Sequence, residues 1–386
     1  MKITSWYSDN FERNLRGRYI TLKHINPILE KYKKQFEISV IGTSELGKKI
    51  SMIKIGTGKN VILAWSQMHG NESTTTKSIF DLLKFFSEKK HFQKEINIFL
   101  KSNTLYIIPI LNPDGAELYT RLNANLIDLN RDAQNLTQKE SQVLATIFNK
   151  VQPDLCLNLH GQRSIFGLET GKPATISFLS PASNKEREVT SARKIAMKLI
   201  ANASLELSKY IPGQIGRYDD SFNHHCFGDC FQMNDVPVIL FEAGHLGNDY
   251  QREKTRLHVF YALLSVLELL KSNNESTYKD YFLIPENKKN FNDVVIRNVR
   301  LNENSEPVSL AIQFTEELIE GGVHFVPKIE AIDDLINIYG HQEIVGKGDE
   351  VLLNSQEKIE IGAKVLKIVS KKDKTLVYFD VKNILF

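Results

Sequence analysis

The strongest constraint on this chain lies in how its most apolar runs end. Val61-Ile62-Leu63-Ala64-Trp65 reads as a buried strand, and it opens onto Gln67-Met68-His69-Gly70-Asn71-Glu72-Ser73. From Thr74 to Phe86 the apolar residues then recur at helical spacing. His69 therefore stands at a strand end and Glu72 at or near the first turn of a helix, where open α/β sheets carry their sites. A His and a Glu three residues apart on such a turn offer one ion a neutral nitrogen and a carboxylate. Catalytic zinc usually takes three protein ligands of this kind and keeps a fourth position for water. Taken alone the pair has a plain alternative, a solvated loop. What the other strand ends supply decides between the two.

Two further apolar runs end in the same manner. Leu155-Cys156-Leu157-Asn158-Leu159 stops at His160-Gly161, and Val236-Pro237-Val238-Ile239-Leu240-Phe241 stops at Glu242-Ala243-Gly244-His245. One buried strand ending in a histidine is ordinary. Three polar ends with two His and two Glu are harder to set aside, because they supply two imidazoles and one carboxylate for zinc and leave one carboxylate over. Metal-assisted hydrolysis needs that spare group: the ion lowers the pKa of its water, and a nearby carboxylate carries the proton to the leaving amine.

The rest of the chain supplies a scaffold. Phe36–Gly42, Lys49–Gly56, Thr104–Leu111 and Ile176–Leu179 read as strands, and residues 11–35, 139–151, 184–210 and 254–271 as helices. Asn112-Pro113-Asp114-Gly115 demands a tight turn. Alternating strands and helices predict an α/β fold with a mixed, largely parallel central sheet and helices on both faces. From about Pro285 short alternating runs take over, which predicts a main domain over 1–280, a linker near residues 272–276, and a small, mostly β domain over 285–386. A net charge of +3 with no basic cluster points to no nucleic acid partner. No membrane span or signal segment is read, and three cysteines make no disulfide framework, so the cytoplasm is the expected compartment.

The order His69-Gly70-Asn71-Glu72, Asn112-Pro113-Asp114-Gly115, Asp128-Leu129-Asn130-Arg131, His160 and Phe241-Glu242 resembles the zinc carboxypeptidase family of metallopeptidases (carboxypeptidase A-like) across roughly residues 15–270. That resemblance implies one Zn2+ ion on His69, Glu72 and His160. It makes Glu242 the general base and later the acid, Arg121 the group facing the oxyanion, and Asn130 with Arg131 the holders of a terminal carboxylate. The chemistry agrees, since an arginine is always charged and, beside an amide donor, grips a carboxylate at two points.

Several positions depart from the pattern or stay open. Asp132-Ala133 follows Asn-Arg where the family commonly has Asn and an aromatic residue, and the acid is placed to pair with Arg131 or Arg163 or to weaken the clamp. The family's mobile tyrosine falls on Tyr210 or Tyr218, and Arg217 with Tyr218 is expected near the specificity pocket, where a basic residue favours an acidic side chain. His245 is placed either to orient Glu242 or to stand in solvent. His224-His225-Cys226 with Cys230 offers soft ligands but only one close pair, which favours packing over a metal.

Three readings follow. The leading one is a zinc hydrolase that cleaves an amide next to a carboxylate, its partner a peptide or small amide with a free carboxylate. A variant acts on γ-glutamyl or N-acyl amino acid substrates. The third is a binding protein of the same fold without turnover, which has no need of a spare base.

Overall fold

In the computed structural model, which describes residues 2–272, 275–354 and 358–383, the central apolar run is buried on both faces. Ile62 and Ala64 join one apolar cluster and Leu63 and Trp65 another, as the two-residue period of a strand requires.

In chain order the first elements are α1 (Ile3–Asn10), α2 (Leu22–Tyr32), β1 (Glu37–Thr43), β2 (Lys49–Ile55) and β3 (Asn60–Ser66). Next come α3 (Thr74–Phe86), α4 (Gln93–Ser102), β4 (Asn103–Ile108), α5 (Pro113–Leu118) and α6 (Lys139–Val151). They are followed by β5 (Leu155–Gly161), β6 (Phe166–Gly167), β7 (Ile176–Leu179), α7 (Ser191–Leu207) and β8 (Ile215–Arg217). Then come α8 (Phe227–Met233), β9 (Val238–Ala243), α9 (Glu253–Val266), β10 (Lys288–Lys289) and β11 (Phe291–Arg300). The last are β12 (Val308–Ile319), β13 (Gly322–Asp333), β14 (Tyr339–Leu353), β15 (Lys367–Ser370) and β16 (Val377–Asp380).

Eight strands form one sheet in the order β1-β2-β4-β3-β5-β9-β7-β8. Its centre, β4, β3, β5 and β9, is parallel, whereas β1, β2 and β7 meet their inner neighbours antiparallel. Helices α1, α2, α3, α7 and α9 bury their apolar sides in one core, and α6 and α8 theirs in the other. This is the α/β architecture expected from the sequence.

The helices are shorter than periodicity alone suggests, because caps end them. Within 11–35 only α2 is helical, and it begins at a capping box of Thr21 and His24. The helix expected over 184–210 starts at Ser191, where the Thr190 side chain accepts from the Arg193 N–H. The Asn112–Gly115 turn is the start of α5, with Asn112 as cap and Pro113 in its first turn.

The chain divides into two compact units: 1–162, 175–244 and 252–286 in one, and 163–174, 245–251 and 287–386 in the other. This differs from the contiguous division at 1–280 and 285–386, since two short excursions beyond β5 and β9 belong to the second unit. Of the expected linker, residues 273 and 274 lie outside the described residues.

The second unit carries a six-stranded sheet, β13-β12-β11-β14-β15-β16, antiparallel except where β11 runs beside β14. Inside it Asp293 is buried and accepts from the Phe314 N–H at 2.7 Å and from Gln313, whose amide also donates to the Ser164 hydroxyl at 2.8 Å. Burial raises its pKa to about 7, with Glu316 pushing the same way and the donors Phe314 N–H, Ser164 and Tyr250 opposing. Between the ordinary carboxylate value of 3.8 and about 7 the folded chain thus holds a proton that the unfolded chain has released. Stability of this unit falls as pH rises through that window. Asp293→Asn is therefore expected to gain on the natural protein between pH 5 and pH 8, by on the order of a few kcal/mol, in urea unfolding of the full chain. An equal difference at both pH values would show that Asp293 titrates in the ordinary range.

Candidate active site

The loop after β3 is held by polar groups that the sequence presents as if for solvent. Gln67, buried and at φ +44°, donates from Nε2 to the Ile20 and Gly70 carbonyls at 3.0 and 2.8 Å and accepts from the Thr76 hydroxyl at 2.8 Å. The Ser66 hydroxyl meets those of Thr75 and Thr76 at 2.8 and 2.9 Å, and Thr75 donates to the Leu159 carbonyl at 3.2 Å. The first turn of α3 is thereby tied to β5 one residue before His160. A Cβ on Gly70 would stand 2.0 Å from the Gly115 carbonyl carbon, so only glycine fits there. Asn112 closes the contact, its N–H donating to the Gln67 carbonyl at 3.0 Å and its Nδ2 to that of Met68 at 3.2 Å. His-Gly-Asn-Glu and Asn-Pro-Asp-Gly are thus two halves of one packing contact.

Three side chains converge on one point. Nδ1 of His69 lies 2.9 Å from Glu72 Oε1, Nδ1 of His160 lies 3.0 Å from Glu72 Oε2, and the two nitrogens are 3.1 Å apart. A tetrahedral ion with bonds of about 2.0–2.1 Å holds its ligand atoms ~3.3 Å apart, so two ring nitrogens this close to each other and each to one oxygen of the same carboxylate form a donor set that suits zinc. Among the described residues no other group of His, Cys, Asp or Glu gathers in this way.

The surroundings bias these groups. His69 presents Nε2 to Asp128 Oδ1 at 3.0 Å, the carboxylate–histidine pairing that fixes ring orientation and tautomer in metal sites. Burial lowers the His69 pKa, but Glu72 and Asp128 outweigh it and the net direction is up. Burial also opposes ionisation of Glu72 and Asp128, yet both are held below their ordinary values, Glu72 by His69 and His160 and Asp128 by His69 and Arg121. Arg121, half-exposed, donates from Nε to Asp128 Oδ2 at 3.1 Å and reaches Glu72 Oε1 at 3.4 Å. The Nε2 of His160 is buried and has no hydrogen-bond partner among the described residues.

Glu242 stands opposite His160 in the β5–β9 register. Its Oε2 is buried without a partner among the described residues. Burial raises its pKa well above the usual range, the charge of Glu72 adds to this, and Arg121 and Arg252 pull the other way. It is thus a carboxyl with a free acceptor beside the three convergent side chains.

Asn130 and Arg131 follow Asp128 on the same turn. Asn130 Oδ1 accepts from the Phe227 N–H at 3.1 Å, and Arg131 donates from Nη1 to the Asn130 carbonyl at 2.7 Å and to Cys226 Sγ at 3.1 Å. Asp132 pairs with neither arginine suggested for it. It accepts from the Thr137 N–H and hydroxyl and from the Gln138 N–H at 2.8–3.0 Å, so its charge goes into the turn before α6.

Other expected residues lie elsewhere. The Tyr210 ring packs on Tyr261 with centroids 4.7 Å apart, beside the core on the far side of the sheet from Cys156. The Arg217 guanidinium donates to Glu286 at 2.7 Å and to the Ile284 carbonyl at 3.3 Å. Tyr218 donates its N–H to the Phe178 carbonyl at 3.0 Å, at the end of β7. His245 belongs to the second unit, where it bonds the Gly247 carbonyl and packs on Tyr250 and His341. The rings of His224 and His225 pack tilted against each other, with centroids 4.1 Å apart. Two contributors escaped the sequence reading: Asp128 as orienter of His69, and Arg252. Asp128 sat inside a recognised motif, whereas a lone arginine before a helix gives no signal.

A family model for zinc carboxypeptidases matches residues 21–225. The chain belongs to the zinc carboxypeptidase family. The match ends before Glu242, which the strand register nonetheless brings beside the ligand set. Carboxypeptidase SOL1 of Arabidopsis thaliana is 28% identical over 104 residues, 24% of this chain and 21% of that protein, so the chain covers only about a fifth of this relative. Among solved structures, a metallo-carboxypeptidase from Burkholderia cenocepacia aligns with a TM-score of 0.51 at 14% identity, covering 64% of this chain and 69% of that one. The metallo-carboxypeptidase of Pseudomonas aeruginosa in complex with (2-guanidinoethylmercapto)succinic acid gives 0.50 at 18%, over 64% and 68%. Bovine thrombin-activatable fibrinolysis inhibitor in complex with tick carboxypeptidase inhibitor gives 0.52 at 15%, over 65% and 97%. Identities this low speak for the fold.

The Asp128–His69 hydrogen bond generates a direct test. Asp128→Asn keeps the shape but loses the charge that orients the ring, and it is expected to weaken zinc affinity about 10–100-fold in chelator competition. Unchanged affinity would reduce Asp128 to a partner of Arg121.

Proposed function

We propose that this chain is a zinc-dependent hydrolase of the carboxypeptidase type, acting in the cytoplasm on an amide bond next to a substrate carboxylate. The observation that carries the reading is Glu242: a buried acceptor without a hydrogen-bond partner among the described residues, set by the strand register next to a convergent His-Glu-His group. A protein that only binds has no use for that group.

His69, Glu72 and His160 would hold one Zn2+ ion, which when bound acidifies water and polarises a carbonyl. Glu242 takes the proton from the attacking water and delivers it to the leaving nitrogen, so one carboxyl serves as base and then acid. Arg121 and Arg252 oppose the repulsion from Glu72 and favour the carboxylate form that the first step needs, and a bound dication would act in the same direction. Arg121 has one side on Asp128 and Glu72 and remains half-exposed, so it can face the negative charge that develops on the carbonyl oxygen. Asn130 and Arg131 hold the substrate carboxylate and fix which bond lies at the metal. A free peptide C-terminus meets these demands most simply, and γ-glutamyl and N-acyl amino acid amides meet them too.

A panel of peptides varied at the last residue, together with such amides, tests the substrate class. Glu242→Gln should retain zinc and lower kcat about 10²–10⁴-fold. Full turnover by a zinc-loaded Glu242→Gln protein would remove Glu242 from the chemistry.

A further inference from the structure

The two strands that carry His160 and Glu242 lose their backbone ladder immediately beyond those residues. β5 ends at Gly161, and from Arg163 the chain belongs to the second unit. β9 ends at Ala243, and from His245 it does so again. One more strand-to-strand bond forms, from the Gln162 N–H to the Ala243 carbonyl at 3.0 Å, and the Gly244 N–H turns instead to the Thr175 carbonyl at 2.9 Å. On its other edge β9 is paired with β7 as far as Ala243, but the β5–β9 register itself ends at Gly161 and Ala243. Those ends bear a candidate metal ligand and the candidate base.

Arg252 closes this gap. Its Nη1 donates to the Ala243 carbonyl and its Nη2 to the Gln162 carbonyl, each at 2.6 Å. One guanidinium thus spans both strands, one residue past Glu242 and two past His160. The side chain is buried, 3% exposed, and the residue stands at φ +54° just before α9. A non-glycine residue in that left-handed region is strained, and burying a guanidinium away from water costs further, with Glu242 near enough to feel its charge. Both costs are borne where a planar two-pronged donor reaches both strand ends. A lysine at the same place has a single ammonium and no such fork.

We infer that Arg252 is a positioning residue, a clasp that sets the separation of the His160 strand from the Glu242 strand and hence of the metal from the base. The inference rests on the hydrolase reading above for its effect on turnover. The clasp itself is a property of the two strand ends and can be read without turnover.

The test uses the full chain as Arg252→Lys and Arg252→Met. Zinc-loaded, both should keep one ion per chain and a KM close to that of the natural protein, while kcat falls about 10–100-fold. The lysine should not rescue. The visible spectrum of the Co2+-substituted protein should shift, because the geometry around His160 has changed. In the metal-free proteins, amide exchange in segments covering 155–162 and 238–244 should quicken relative to the natural chain. Should Arg252→Met not fold, Arg252→Lys, which keeps the charge, carries the test alone. A kcat equal to the natural one in Arg252→Lys, or exchange at both strand ends unchanged, overturns the inference. If the natural chain cleaves nothing in the substrate panel, the hydrolase reading fails, and cobalt spectra and exchange still decide on Arg252.

Discussion

Between β5 and β9 the backbone ladder sets His160 against Glu242, and the pleat turns both side chains the same way. Leu155, Leu157 and Leu159 on β5, with Ile239, Phe241 and Ala243 on β9, fill one core. Cys156 and Val238 belong to the other, so His160 and Glu242 share their side, the one covered by α6 and α8. A slip of one residue would bury both polar groups among leucines and bring Leu159 to the site. The apolar pattern that makes the core therefore also aims the candidate ligand and the candidate base, and neighbouring strands about 4.8 Å apart leave little latitude in their spacing.

Register does not place Glu72, which comes from a turn. Its position depends on the hydroxyls of Ser66, Thr75 and Thr76 and on the Gln67 amide, all buried and all bonded. Each such bond contributes only about 1 kcal/mol net, but an unmade one costs more, so the set is held together or lost together. Thr75 on the Leu159 carbonyl and Gly70 against Gly115 link this turn to β5 and to the start of α5. Three candidate ligands thereby share one frame.

The sheet was legible in the sequence because parallel strands buried on both faces must be continuous apolar runs, and a His or Glu ending such a run has few places to go. The motif order carried the rest of the metal group. Other features left no trace of that kind. Thr74-Thr75-Thr76-Lys77-Ser78 is polar throughout, yet all five residues are buried, because partners such as Leu159 on β5 and Glu253 and Arg256 on α9 lie far along the chain, where no local pattern names them. Arg217 invited a specificity role by its place in the order, and its ion pair with Glu286, sixty-nine residues on, left no local mark. The excursions 163–174 and 245–251 follow from long-range pairing, Phe166 with Lys289 among it, and a reading by composition sees only one boundary near 285.

The hydrogen bonds of His69 show why the three convergent side chains call for a cation. The ring lies between two carboxylates, with Nε2 on Asp128 and Nδ1 on Glu72. Without an ion it satisfies both only by carrying two protons, which is why its pKa goes up. His160 must then present an N–H to Glu72 while its Nδ1 stands 3.1 Å from a second ring N–H, so like dipoles crowd one point. A divalent ion held here would replace both protons, with both nitrogens offering it their lone pairs. Asp128 keeps the His69 proton on Nε2, and Glu72 stays ionised between two rings. The electrostatic arrangement that strains the protonated form is the one that complements the metal.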